Sequence, residues 1–156
     1  MDAVEFSSEL PEEYADDLER LLYFNTLQGR AGAAIEHLVE KYGQPRIRAD
    51  GGWLRVTVGD IPDVQTLFAI ERQADADELV GVVIFMRQAE ELAILHLAVA
   101  ETFSSSGIDR ESLLALRLVA TVQGVGRRMQ RIRSIVIYYP AGVPRRLRVD
   151  PLPASW

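Results

Sequence analysis

Two apolar runs separated by a short polar turn decide the fold of this chain: LVGVVIFMR at residues 79–87 and LAILHLAVA at residues 92–100. Both runs are nearly continuous in apolar side chains, which is typical of strands that are covered on both faces of a sheet. The connection at 88–91 is too short for a crossover helix. The sequence therefore predicts an antiparallel hairpin at the centre of the fold.

The residues before this hairpin predict two further strands. Apolar and polar side chains alternate from Trp53 to Val58, and a β-rich run extends from Val64 to Arg72. A polar connection at 73–78 then leads into the hairpin. We therefore expect an antiparallel meander of three or four strands.

The first 45 residues predict two N-terminal helices. The sequence PEE at 11–13 is typical of a first helical turn, because proline lacks the N–H that would be unsatisfied there and carboxylates favour the positive end of the helix dipole. Apolar residues recur at helical spacing up to Leu27, and again from Ala31 to Tyr42. Gly43 ends the second helix.

A long helix and one more strand follow the hairpin. The sequence SSSG at 104–107 interrupts the β pattern, and apolar residues then recur every three or four positions from Arg110 to Ile132. Ser134 to Tyr139 is again β-like. Because a helix connects two strands of one sheet, we predict that strand 92–100 runs parallel to strand 134–139. The helix face that we expect to lie against the sheet contains Leu114, Leu118, Val122 and Val125.

These elements define the fold class as α+β with a mixed sheet. A chain of 156 residues supports one hydrophobic core and is short for two, so we assign residues 1–140 to a single domain and 141–156 to a C-terminal tail. The tail predicts a strand from Arg146 to Asp150, from the same or a second protomer, that covers the sheet edge. A homodimer and a disordered tail are the two alternatives to an intramolecular cover.

Composition argues against several classes of function. The chain has no cysteine and two histidines that are far apart, which argues against disulfides, thiolate catalysis and a metal centre. No run approaches the roughly 18 apolar residues of a membrane span, and the N-terminus is acidic where a secretory signal would be basic. We expect a cytoplasmic protein that makes no contact with a membrane.

Charge is unevenly distributed along the chain. Residues 1–100 have a net charge of −11 and residues 101–156 of +5. The acidic part argues against general nucleic-acid binding, which needs a broad basic surface. A polar stripe on the long helix could attract a phosphate or an acidic partner, or could be a solvated helix face. The stripe contains Arg117, Thr121, Gly124, Arg128 and Arg131.

The order of these elements resembles that of the GNAT superfamily of N-acetyltransferases, over roughly Tyr14 to Tyr139. The closest local match is AILHLAVAETF at residues 93–103, which is similar to the family's fourth strand. In that family a glycine-rich loop and the next helix N-terminus then hold the pyrophosphate of coenzyme A. The corresponding stretch here, SSSGIDRESLL at 104–114, matches at Gly107 and at the LL pair, and it lacks the family's leading basic residue.

The resemblance implies acetyl-CoA as cofactor and a set of residues that bind it. The backbone of one strand would pair with the pantetheine arm, and the loop and helix start would hold the pyrophosphate. The strand residues are Leu97, Ala98 and Val99, and the others are Ser106, Gly107, Ile108 and Arg110.

Several side chains are candidates for acid–base catalysis. His96 or Glu101 could take a proton from the amine substrate. Tyr138 and Tyr139 point to opposite faces of their strand, so one of them, which we assign as Tyr139, could protonate the leaving thiolate. Alternation within the strand places His96 on the face of Ile94 and Ala98. Each candidate also has an ordinary structural interpretation: a core histidine, a solvated carboxylate at a strand end, or a packed tyrosine.

Three hypotheses about function remain open at this point. The first is an acyl-CoA-dependent N-acetyltransferase that acts on the amine of a small molecule or peptide. The second is a catalytically degenerate GNAT-like domain that serves as a protein-interaction or dimerisation module. The third is an unrelated α+β domain with the same order of strands.

Overall fold

The computed structural model describes residues 4–23, 38–73, 75–100, 108–138 and 144–149, with the backbone alone at 108–112. A short 3₁₀ turn, Glu12–Tyr14, precedes helix α1, Ala15–Tyr23, and the long helix α2 is Ile108–Arg128. Residues 38–42 are also helical. The strands are β1 (Val4–Ser7), β2 (Leu10–Pro11), β3 (Pro45–Asp50), β4 (Trp53–Val58), β5 (Gln65–Glu71), β6 (Glu78–Gln88), β7 (Glu91–Val99), β8 (Ser134–Ile137) and β9 (Arg145–Arg148).

The main sheet has six strands in the order β1-β5-β6-β7-β8-β9. Strands β7 and β8 are parallel, whereas every other neighbouring pair in this sheet is antiparallel. The predicted mixed sheet and its parallel crossover are therefore confirmed. The physical reason is that α2 carries the chain back along the sheet before β8 begins.

A second sheet of three strands, β2-β4-β3, was not predicted. The alternating run at 53–58 was expected to extend the meander, but β4 pairs with β3 and β2 instead. Gly51 and Gly52 have φ values of 61° and 89°, which lets them close the β3–β4 hairpin in a tight turn. Pro11 is tolerated in β2 because this strand lies at an edge. The first turn predicted at 11–13 is observed one residue later, as the 3₁₀ turn Glu12–Tyr14, which continues directly into α1 at Ala15.

Helix α1 and helix α2 cover opposite faces of the main sheet. One buried cluster contains Leu18, Leu21 and Leu22 of α1 together with residues of β4 to β8. The other contains Leu114, Leu118 and Val122 of α2, as predicted for that helix face. Val125 is only partly buried. The predicted second N-terminal helix is observed at 38–42, and residues 24–37 lie outside the described part of the chain.

The C-terminal tail extends the same sheet. Strand β9 pairs antiparallel with β8, so the predicted edge cover is confirmed and comes from the same chain. The Glu91 carboxylate accepts hydrogen bonds from Arg146 Nε and Ser134 Oγ, both at 2.7 Å, and these bonds lower the pKa of Glu91. The arginines of β9 leave a charged edge, which disfavours pairing with a further strand.

Within the described ranges, no helix is both long and apolar enough to cross a membrane.

Candidate functional site

The second half of β7 extends past its parallel neighbour. Strand β8 is paired with β7 from Glu91 to Ile94, and the last registered pair is Ile94 with Ile137. On the opposite side β6 follows β7 to its end, where the Ala100 N–H donates to the Val80 carbonyl at 2.8 Å. The two parallel strands therefore share a short ladder, and residues 95–99 continue beyond it.

A β-bulge lies where the two parallel strands part. His96 pairs with Ile84 and Ile94 pairs with Phe85, so Leu95 is an extra residue in β7. Residues that are directly opposite in an antiparallel pair face the same side of the sheet. Bulges re-aim side chains and occur next to active sites more often than elsewhere.

The bulge corrects the predicted orientation of His96. Alternation places it on the face of both Ile94 and Ala98, but Ile94 lies in the cluster under α2. Ile84, which is opposite His96, lies with Ala98 in the cluster under α1. The prediction is therefore right for Ala98 and wrong for Ile94, because one extra residue reverses the alternation.

His96 is buried and neutral. Its side chain is 4% exposed, and its Nε2 has no hydrogen-bond partner within the described part of the chain. Burial lowers the pKa of His96 from 6.5 to about 4, because a charged imidazole would lose its hydration there. At neutral pH the ring is thus a weak base, which weighs against its predicted role in taking a proton from an amine.

The structure describes part of the predicted coenzyme site. Leu97 is half-buried on the α2 face, whereas Ala98 and Val99 are buried, and all three lie on the length of β7 beyond β8. Helix α2 begins at Ile108, so this residue and Arg110 belong to its first turn. Ser106 and Gly107, and the candidate catalytic residues Glu101 and Tyr139, lie outside the described residues.

A cluster of one lysine and two tyrosines was missed by the sequence analysis. Lys41 is the single lysine of the chain. Its Nζ lies 5.2 Å from the ring centroid of Tyr42 and 5.8 Å from that of Tyr138, which is within the range of cation–π attraction. The hydrogen bond with Tyr42 raises the pKa of Lys41, so its ammonium stays charged at neutral pH.

Tertiary contacts hold the two tyrosines in place. The Tyr42 hydroxyl donates to Gln88 Oε1 at 3.2 Å, and Tyr138 is buried in the α1-side cluster that also contains Ala98. Burial raises the pKa of the Tyr138 hydroxyl, which therefore remains protonated near neutral pH. An ammonium and a phenol on one face could stabilise negative charge on a bound group.

Nothing in the sequence spacing links Lys41 to Tyr138, because β3 to β8 and α2 separate them along the chain. One feature of the sequence could have drawn attention to Lys41: it is a single lysine in a chain with sixteen arginines. An ammonium is a more compact point charge than a guanidinium, so the two residues are not interchangeable. Among the described residues, no group of three or more His, Cys, Asp or Glu side chains could hold a metal ion.

No protein-family model, curated protein or solved structure matches this chain.

Proposed function

We propose that this chain is an acyl-CoA-dependent N-acetyltransferase of GNAT-like architecture. The observation that supports the proposal best is the short β7–β8 ladder, because residues 95–98 of β7 extend beyond the last pair that is registered within the described part of the chain. A strand edge can bind an extended ligand through backbone hydrogen bonds, as it binds a peptide. The pantetheine arm of coenzyme A is such a ligand, since it contains two amide groups in an extended chain.

The start of α2 supports the placement of the coenzyme phosphates. The first N–H groups of a helix have no partner within the helix, and they carry the positive end of its dipole. Gly107 directly precedes Ile108, the first residue of α2, and Arg110 adds a positive charge to the first turn. In this proposal the pyrophosphate binds at the helix start and the pantetheine arm follows β7.

The reaction would be a direct transfer of the acetyl group. The amine nitrogen attacks the thioester carbonyl carbon, the C–S bond breaks as the amide forms, and the thiolate takes up a proton. Glu101 is the proposed base for the ammonium proton, because His96 is 4% exposed and is closed to an amine substrate. Tyr139 is the proposed donor to the thiolate, and the acceptor is an amine on a small molecule or peptide.

The weak basicity of His96 favours a second candidate function. A GNAT-like domain that has lost catalysis would keep the fold as a protein-interaction or dimerisation module. The missing basic residue at the start of the 104–114 loop points the same way, because phosphate binding gains from such a charge. This second candidate requires neither coenzyme binding nor a base.

Calorimetric titration with acetyl-CoA separates the two candidates. We expect micromolar binding, together with release of free coenzyme A when a panel of amines is added. Arg110→Glu should weaken binding without unfolding the protein, because glutamate is favourable in the first turn of a helix. Arg127→Glu, which makes the same charge change near the other end of α2, is the matched control. If millimolar acetyl-CoA gives no heat of binding, the proposed acetyltransferase function is refuted.

A further inference from the structure

A cleft of about 660 Å³ lies on the far side of β6 from β7. Its volume is within the range of roughly 300 to 1,000 Å³ that is typical of ligand sites. Strand β4, the beginning of β5, the turn at residues 8–9 and the C-terminal end of α2 form its walls. Arg128 at this end of α2 is about 30 Å along the helix from Ile108, so the cleft is separate from the proposed coenzyme site.

Two strand edges line this cleft beyond their last registered partners. Strand β1 is paired with β5 at residues 68–71, and residues 65–67 lie past the end of that ladder. Strand β2 is paired with β4 at residues 53–54, and residues 55–57 lie past it on the same side. Each stretch offers about 10 Å of backbone edge to the cleft. A strand edge of this kind binds a polypeptide in an extended conformation.

The protein's own N-terminal segment already binds to these same two edges. Residues 4–7 extend the main sheet at β5, and residues 10–11 extend the small sheet at β4. Between them the Ser7 hydroxyl donates to the Glu9 carbonyl and accepts from the Glu9 N–H, which turns the chain from one sheet to the other. A second extended segment in the cleft would pair with β5 and β4 beyond the residues with which the N-terminal segment pairs.

The side chains of the cleft combine apolar surface with one arginine that can bind a carboxylate. Trp53 is 46% exposed, and the partly buried Leu67 and Val125 add apolar surface. The charged residues that line the cleft are Arg55, Arg128 and Glu9. Arg55 is paired with Asp50 at 3.4 Å, so Arg128 is the lining cation that has no ion-pair partner among the described residues. Arg128 is the last residue of α2, where an arginine is favoured by the negative end of the helix dipole.

We propose that this cleft binds an extended acidic segment of a partner protein by β-strand addition. The backbone of the segment pairs with the edge of β5 at residues 65–67. Its carboxylate binds Arg128, and its apolar side chains contact Trp53 and Leu67. The proposal does not depend on coenzyme binding, because the cleft shares no described residue with the β7 site.

The test is selection of a phage-displayed library of random nine-residue peptides on the full chain, followed by NMR titration of the selected peptides. We expect enrichment of acidic, β-branched sequences that shift the backbone amides of residues 65–67. Methylation of alternate backbone nitrogens of the peptide removes donors and keeps every side chain, so it should abolish binding. Equal binding of the methylated peptide would overturn the proposal.

Two adjacent arginines provide a matched control. Arg128→Glu should weaken the selected peptides by at least about fivefold, because it replaces attraction by repulsion. Arg127→Glu makes the same change in the same helical turn, but Arg127 does not line the cleft, so we expect little effect. Equal loss in both variants, no enriched peptide, or self-association through this cleft in light scattering would each overturn the proposal.

Discussion

Acidification should destabilise this protein through one buried side chain, His96. The pKa of this imidazole is about 4 in the folded chain and near 6.5 when it is exposed. Above pH 6.5 the ring is neutral in both states and its titration contributes nothing. As the pH falls from 6.5 towards 4, the unfolded state binds the proton first, so stability is lost across this window. The loss is about 2 kcal/mol at pH 5 and about 3 kcal/mol below pH 4.

Urea denaturation of the wild type and of His96→Leu at pH 7.5 and pH 5 measures this effect. The carboxylates and the second histidine are common to both proteins, so their contributions cancel in the difference. At pH 7.5 we expect the variant to be equally or more stable, because Nε2 has no partner to lose within the described part of the chain. At pH 5 the variant should gain about 2 kcal/mol relative to the wild type.

His96→Gln is the control for this prediction. Glutamine does not titrate, so it should remove the same pH dependence, but it keeps a polar group in the buried position and should lack the benefit of leucine. A difference in unfolding free energy that is the same at both pH values would refute the reasoning. In that case the imidazole would be solvated or paired, and its role as a base would return to consideration.

Three further predictions test the packing. Leu118→Ala should cost about 2 to 5 kcal/mol, because this side chain is 0% exposed; a loss below about 0.5 kcal/mol in urea denaturation would show that the helix face is misassigned. Gly124→Ala should raise stability by up to about 1 kcal/mol, since its Cβ would enter open space. Gly59→Ala should destabilise the chain, because its Cβ would overlap the Tyr42 carbonyl oxygen. Thermal denaturation of both variants tests the two expectations. Deletion of residues 144–156 removes β9 and uncovers β8, so we expect self-association in light scattering, and an unchanged mass and stability would contradict the edge cover.

Local patterns predicted the centre of the main sheet well. Hydrophobic runs predict β5, β6 and β7 to within one residue at both ends, and the helix that follows predicts the parallel partner of β7. These runs bury side chains on both faces, so their hydrophobicity alone distinguishes them from turns. The connections between them are short, which leaves few topologies to choose from.

The N-terminal strands could not be predicted in the same way. Residues 4–7 and 10–11 are short, mixed in polarity, and paired with residues far along the chain. The helix-start pattern at 11–13 overlaps the short strand β2 at Pro11. This strand forms because it pairs with the edge of β4. The same limit applies to the Lys41–Tyr138 contact, which depends on the packing of helix 38–42 against the sheet.

The sequence by itself determined the α+β class, the central hairpin, the buried face of α2 and the charged strand that covers β8, because each follows from a local period of hydrophobicity or from the length of a connection. Only the tertiary structure decided which face His96 occupies, since one inserted residue at Leu95 reverses an alternation that every local rule assumes. It also decided that β4 belongs to a separate sheet and that two free edges meet in one cleft. The physical reason is that a strand pairs with whichever strand edge lies beside it once the core has packed. The side-chain pattern of the strand does not specify that edge.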